Sequence, residues 1–537
     1  MHQADTSLLS ALLANERTAP STRRLSEAES LSVFTLSAYL EAERPWDGPA
    51  LHQVLGEWLC TGLSGQTALK GWLQSHFSSK PFRPARFASA EKRALQVLQA
   101  GFFAVEPKGD IPGSIAPGPS PCPRVLFARG DFPPGPPWVT IFNSRKSRLP
   151  NPHAEWLEAL RTALASISGT GGMLAGSLGT LTYDLAAAYA LHHRSRLLLV
   201  LPSPVEELLP ESFSLPFQES AQPDLTMTCL TGATGCPKAT RARCRDRILA
   251  FLADVHFVIE IRSNGNMLRV LQDQQNSSPR RQAIFQPERL GSWNVGNLRL
   301  QAAFHQYAVP FSAGRPADAP SPTAPAAPAA RPGKNSGEIP WSEYLYHYTR
   351  SCPGPWPGQP YGEFLLDLLA AGLLSGHTSL DTLVRIVSEE RIRACGQLVR
   401  GGHAAVSLTS LPPMRLESIR RWNPALIRWT FEPYGVAISR KLLREEGAKP
   451  AIYAHASRYP DIGYSERYRF QMHRPPWSSW KYEREWRFRR DIDLGRLGGH
   501  DAFVFVPSTE DAEKLQELTG CRFPVIIVPA EPCAGKP

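Results

Sequence analysis

The chain has 537 residues, 42% hydrophobic and 20% charged, with a formal net charge of +10. That composition excludes a disordered or fibrous chain and, at about 150 residues per domain, predicts several globular domains. The basic balance permits a polyanionic partner, nucleic acid included, without demonstrating one.

Nine cysteines are scattered along the chain with no C-x-x-C pair; Cys229, Cys236 and Cys244 are the nearest cluster and match no zinc spacing. Reduced cysteines in a cytoplasmic protein are the expectation. The opening M-H-Q-A-D-T-S lacks a basic segment followed by an apolar core, so no signal peptide is expected. No apolar run approaches the ~18 residues of a membrane span. Heavy use of alanine, arginine and proline fits a bacterial source.

Residues 1–108 read as an all-α accessory domain. Leu25–Leu40 and Ala50–Trp72 carry apolar residues at three- and four-residue spacing, Ser26 with Glu29 fits a capping box, and Ser89 opens a further helix. Residues 109–136 are rich in proline and glycine and read as a linker, with one strand-like island at Arg124–Ala128.

Residues 137–310 alternate strands with helices. Trp138–Phe142, Gly171–Gly176, Leu197–Leu201 and Val255–Ile261 are strand-type runs; His153–Ser166, Leu181–Ala190 and Arg241–Ala253 are helical. The pattern predicts a Rossmann-like α/β domain with a parallel sheet. Two loops at its C-terminal edge are candidate ligand contacts. One is Asn143, Ser144 and Arg145, continuing into Lys146 and Arg148; the other is the turn Gly176, Ser177, Leu178, Gly179, Thr180. Glycines let a backbone approach a phosphate, and a helix N-terminus favours an anion. A tight turn with no ligand would use glycine as well, and the turn is neither a G-x-G-x-x-G fingerprint nor a Walker loop.

The N-S-R loop, the G-S-L-G-T turn and I-R-S-N-G-N at Ile261–Asn266 resemble the SLOG superfamily of Rossmannoid domains. That resemblance implies a nucleotide or nucleotide-derived ligand. Enzymatic members carry P-G-G-x-G-T-x-x-E, whereas this turn reads G-S-L-G-T-L-T-Y-D, with Asp184 near the place of the catalytic glutamate. The departure favours binding or sensing over hydrolysis.

Residues 311–340, with six prolines between Pro316 and Pro332, read as a Pro/Ala-rich disordered linker. Residues 341–537 read as an α+β domain with early helices and many strands. It opens on L-Y-H-Y-T, Leu345–Thr349, and continues through the helix Asp381–Glu390 and the hydroxyl-bearing strand Ala404–Ser410. Strands follow at Leu426–Phe431 and Gly435–Ser439, around Tyr434, and the helix Arg440–Glu446 comes after them. Near the end lies Trp480–Asp491, W-K-Y-E-R-E-W-R-F-R-R-D. As one strand it would place Glu483 and Glu485 on one face. Paired carboxylates among aromatics suit acid–base or cation-stabilising chemistry, and they equally suit ion pairs with neighbouring arginines.

The order L-Y-H-Y-T, V-S-L-T-S, Y-G-V-A-I-S-R and Y-E-R-E-W-R resembles the AbiG-type abortive-infection family and, more distantly, the ADP-ribosyltransferase fold. The second resemblance implies a split β-sheet cleft that holds NAD as substrate. His347 would orient the dinucleotide, Tyr348, Ser407 or Tyr434 would shape the nicotinamide pocket, and Glu485 would be the catalytic carboxylate with Glu483 beside it. Arginines and tryptophans between residues 391 and 490 make a nucleic-acid acceptor one option and a protein acceptor another; a solvated basic face is the plain alternative. The expectation is a bacterial defence protein that couples a nucleotide sensor to an NAD-using effector. A non-enzymatic partner-docking protein and a nuclease using Glu483, Glu485 and Asp491 on a metal are the alternatives.

Overall fold

The computed structural model describes residues 22–41, 48–76, 82–107, 125–131, 137–146, 154–210, 215–217, 222–228, 237–277, 282–287, 295–304, 308–311, 339–352, 354–370, 375–396, 399–423, 428–475 and 480–529. The chain divides into two compact units, the first essentially residues 1–317 and the second 318–537. The 311–340 linker falls almost wholly outside the described residues, as do Arg148, Cys122, Cys229 and Cys236.

Unit 1 is built on a ten-stranded sheet. In chain order its strands are β1 (Thr22–Arg24), β2 (Phe102–Pro107), β3 (Leu126–Gly130), β4 (Trp138–Phe142), β5 (Met173–Gly176), β6 (Leu197–Val200), β7 (Leu225–Thr228), β8 (Val255–Val258), β9 (Ala283–Pro287) and β10 (Ala308–Phe311). Across the sheet they run β1-β2-β3-β7-β6-β5-β4-β8-β9-β10. The seven strands from β7 to β10 are parallel; β3, β2 and β1 extend that block antiparallel. Every residue of β4, β5, β6 and β8 is buried, as expected of strands covered on both faces.

The all-α expectation for residues 1–108 fails at its ends. The helices Glu27–Glu41, Gly48–Cys60, Gln66–His76 and Pro84–Gln99 are present, but β1 and β2 belong to the sheet. Residues 125–130, read as part of a linker, supply β3, which joins β2 to β7. The helical segment is therefore stitched into the Rossmann-like sheet by its own flanking strands. From β4 the chain runs outward to β5, β6 and β7, then returns to the other side of β4 as β8. This reversal opens a crevice beyond the C-terminal ends of β4, β5 and β8.

Unit 2 centres on a seven-stranded sheet. Its strands are β11 (Tyr344–Tyr348), β12 (Arg391–Ile392), β13 (Val406–Thr409), β14 (Trp422–Asn423), β15 (Arg428–Trp429), β16 (Gly435–Ser439), β17 (Lys449–Pro450), β18 (Ile452–Ala454), β19 (Phe470–Met472), β20 (Glu485–Phe488), β21 (Ile492–Asp493), β22 (Ala502–Val506) and β23 (Val525–Ile527). The large sheet runs β17-β20-β13-β11-β16-β22-β23, antiparallel except for the last pair. The α+β expectation describes this unit. Strand alternation sorts its two cores: Leu345, Val406, Leu408, Val436 and Phe488 pack on one side, Tyr346, Tyr348, Ala437 and Phe505 on the other. Gly435 is required here, since a Cβ would lie 2.3 Å from the His347 carbonyl oxygen and 2.5 Å from the Phe505 ring.

Two strand expectations in unit 2 are corrected. Trp480–Asp491 is not one strand: a 3-10 turn covers Lys481–Glu483, Arg484 is left-handed at φ 45°, and only then does β20 begin. Within Leu426–Phe431, residues 428–429 pair with β14 as a separate ribbon, and residues 424–427 lie outside the described set.

Candidate functional site

In unit 2 the site forms where the ladder between β11 and β13 stops. These strands share one residue pair, Tyr346 with Thr409. Beyond it the His347 imidazole enters the seam, its Nδ1 2.9 Å from the Ser407 carbonyl oxygen. A carbonyl only accepts, so Nδ1 carries the proton, and Nε2 of the neutral ring is an acceptor. Burial pushes the imidazole down to about 4, against the Ser407 carbonyl and with help from the Arg350 charge. His347 is therefore neutral at pH 7.

Glu483 ends the 3-10 turn, and its carbonyl accepts the Thr409 hydroxyl at 2.5 Å. Its carboxyl has no hydrogen bond or ion pair among the described residues. Burial and then the neighbouring Glu485 raise it to about 7; Arg350 and Arg487 pull the other way. A carboxyl with that setting exchanges protons near neutrality.

Glu485 is held differently. Arg487 Nε and Nη2 donate to its two oxygens at 2.8 and 3.2 Å. Arg487 also donates to the carbonyls of Tyr468 and Phe470, both at 2.8 Å, and to Gln471 Oε1 at 2.5 Å. All five guanidinium N–H groups are thereby used, and the residue is 3% exposed. The Glu485 backbone N–H donates to Tyr453 Oη at 2.8 Å. The two carboxyls thus come close in space, with the roles expected of them exchanged. Glu485 is clamped by an arginine, and Glu483 is the uncommitted proton-exchanging group.

The remaining expected residues divide. Register places Glu485, Arg487, Ser407 and Thr409 on one face and His347 on the other, so His347 reaches the seam edgewise. Ser407 takes part through its carbonyl. Tyr348 and Tyr434 are not brought in. Tyr348 Oη donates to the Leu411 carbonyl within the aromatic core, and Tyr434 Oη donates to Asp511 at 3.3 Å. The Arg487–Glu485 pair is the ion-pair alternative that the neighbouring arginines offered, whereas Arg350 and Tyr453 were missed. Arg350 directly follows H-Y-T, and its field reaches both His347 and Glu483. Among the described residues no group of three or more His, Cys, Asp or Glu is placed to hold a metal ion.

In unit 1 the crevice gathers the expected contacts. Asn143 follows β4, and its Nδ2 donates to Thr182 Oγ1 at 3.2 Å. Ser144 is fixed between strands, its N–H donating to the Glu260 carbonyl and its hydroxyl accepting from Arg262 N–H. Arg145 is exposed, while Lys146 pairs with Glu260 and is lowered to about 8 by burial and by Arg262. Gly179 has φ 88°, and Thr180 caps the helix Leu181–His192, its hydroxyl accepting the Tyr183 N–H. Beneath the turn, Arg245 pairs with Asp246, reaches the Leu178 carbonyl and lies over the Tyr183 ring.

No family model matches the chain, and no curated protein matches it. Among solved structures it is similar to DNA processing protein A from Helicobacter pylori, described for its single-stranded DNA binding mode. The identity is 18% and the TM-score 0.28, over 38% of this chain and 90% of that one. It is similar also to DNA processing protein A from Streptococcus pneumoniae, at 13% identity and a TM-score of 0.30, over 54% of this chain and 96% of that one. Scores this low assign nothing to the chain.

Proposed function

We propose that the chain is a bacterial defence protein in which unit 1 binds a nucleotide-class ligand and unit 2 cleaves the nicotinamide–ribose bond of NAD, passing ADP-ribose to an acceptor. The observation that carries this reading is Glu483, a desolvated carboxyl without a hydrogen-bond or ion-pair partner among the described residues, held beside a second carboxyl, with the Arg350 charge acting on both it and the neutral His347.

The residues fit such a substrate. In bond cleavage the electron pair of the C1′–N1 bond leaves with nicotinamide. An acceptor oxygen bonds to C1′ and surrenders its proton to the Glu483 carboxylate. The same negative charge stabilises the cationic character at C1′ before attack, as carboxylates do in glycoside cleavage. His347 Nε2, an acceptor in the neutral ring, can hold a ribose hydroxyl in place. Burial, and then repulsion from Glu485 fixed by Arg487, keeps the Glu483 carboxyl protonated in part at neutral pH.

Incubation of the full chain with NAD labelled in the ADP-ribose part, together with bacterial extract, tests the reading. Label should move to a macromolecule or to free ADP-ribose, with nicotinamide released. Absence of release with every nucleotide and nucleoside added would remove the reaction. A second reading, unit 2 as a non-enzymatic docking domain, is favoured by the Arg487 clamp, which uses Glu485 structurally. A ligand-induced rise in melting temperature with no turnover would support it.

A further inference from the structure

We infer that the glycine turn of the unit 1 crevice receives an uncharged, hydroxyl-bearing ligand part, the ribose of a nucleoside, and turns phosphate away. This rests on the reading of unit 1 as a nucleotide-class site and specifies which part of the ligand the turn meets.

A phosphate-binding turn presents unspent N–H groups at a helix start. Here the Gly179 N–H donates to Asp184 Oδ1 at 2.8 Å, so a carboxylate from the helix itself sits where an anion would bind. A phosphate at that point would lie against Asp184 and be repelled. One cation of the adjoining loop is engaged as well, since Lys146 is paired with Glu260, while Arg145 is exposed. The glycine N–H at the centre of the turn is thus already used from within the protein, by a group of the same charge as a phosphate.

Two buried polar atoms at the same edge have no hydrogen-bond partner among the described residues. They are Asn143 Oδ1, in a residue 9% exposed, and Ser177 Oγ, in a residue with no exposed surface. Buried polar groups in folded proteins are almost always satisfied, and leaving one unpaired is costly. Asn143 Oδ1 needs a donor. Phosphate oxygens, ionised at neutral pH, are acceptors and cannot supply it, whereas a ribose hydroxyl can. Ser177 can donate to or accept from a second hydroxyl. Gly176 and Gly179 leave room for the ring, because a Cβ at either position would meet nothing within 4 Å. A carboxylate on the Gly179 N–H, an orphaned acceptor, an orphaned hydroxyl and open space converge on a sugar.

Titration calorimetry on the full chain tests this with adenosine, guanosine, their 5′-monophosphates and inorganic phosphate. At least one nucleoside should bind saturably, its monophosphate no more than about threefold tighter, and inorganic phosphate should not compete. Ser177→Ala should weaken the nucleoside about tenfold, with circular dichroism confirming the fold. Asp184→Asn should tighten the monophosphate about tenfold relative to the nucleoside. If the wild-type chain binds the monophosphate tenfold or more tighter than the nucleoside, and inorganic phosphate competes, the inference is overturned while unit 1 stays a nucleotide site. If neither nucleosides nor monophosphates bind, the reading of unit 1 falls with it. The comparison of ligands on the wild-type chain decides the matter even if a variant fails to fold.

Discussion

Replacing Arg487 with methionine is the perturbation whose cost follows most directly from the structure. The guanidinium is 3% exposed and its partner Glu485 has a side chain 11% exposed. Methionine keeps much of the apolar stem and removes all five donors. It strands the Glu485 carboxylate, two backbone carbonyls and Gln471 Oε1. Breaking a buried ion pair from one side costs about 3–5 kcal/mol, because the surviving charge is left desolvated. In Arg487→Met/Glu485→Leu that charge is gone, and only the carbonyls and the amide remain unmet. The double variant should recover about 1–3 kcal/mol over the single one. Urea unfolding followed by tryptophan emission, with Trp486 next to the clamp, measures both. A loss below about 1 kcal/mol for Arg487→Met, or a double variant no more stable than the single, would refute the clamp as described.

Three titrating groups give further tests. Glu483 is raised from its ordinary range to about 7, so the unfolded chain releases this proton first, and stability falls as pH rises from about 4.5 to 7. Glu483→Gln should remove that loss and be more stable than the wild type at pH 8 by on the order of 2–3 kcal/mol, with little difference at pH 4. His347 is lowered to about 4, so its own contribution to stability rises with pH between about 4 and 6.5 and opposes that of Glu483, which the Glu483→Gln comparison isolates; nitrogen NMR at pH 5.5 should find a neutral ring protonated at Nδ1. His377 goes the other way. Burial pushes it down, but Asp367, Cys352 and the Gly354 carbonyl outweigh burial and raise it to about 9. It should be charged at pH 7.5, its stabilisation complete below about 6.5 and lost as pH climbs through 9; a neutral ring at pH 7.5 would contradict the influence of Asp367, whose carboxylate lies 3.9 Å from Nε2.

Much of the Rossmann-like sheet was legible because its strands are buried on both faces. Trp138–Phe142, Leu197–Val200 and Val255–Val258 are short, predominantly apolar runs rich in β-branched and aromatic residues and alternating with helical segments, the pattern of a covered parallel sheet. The edge was not legible. β1 is three residues long, and β2 follows its helix after a single turn, so neither leaves a periodicity of its own. In unit 2 the position of Glu483 was hidden by backbone conformation. W-K-Y-E-R-E-W-R holds no glycine or proline, yet Arg484 turns left-handed and separates the two glutamates onto different elements. His347, Ser407 and Glu485 lie on the adjoining strands β11, β13 and β20, but the chain order did not show that His347 takes the opposite face from the other two. The ion pair of Glu485 with Arg487, its i+2 neighbour on the same face, was among the readings the sequence allowed; what it did not show is that this arginine takes Glu485 and leaves Glu483 unpaired among the described residues. In the crevice, the glycine turn was read as an anion site from its residue types. Only the folded geometry shows Asp184 reaching back to Gly179.

The pH profile of nicotinamide release from NAD tests the central claim, that Glu483 is the carboxyl that takes the acceptor proton. The wild-type rate should rise with pH along a limb with an apparent pKa near 7, and Glu483→Gln should lose at least a hundredfold in rate together with that limb. A flat profile from pH 5.5 to 8.5, or the same limb in Glu483→Gln, would contradict it.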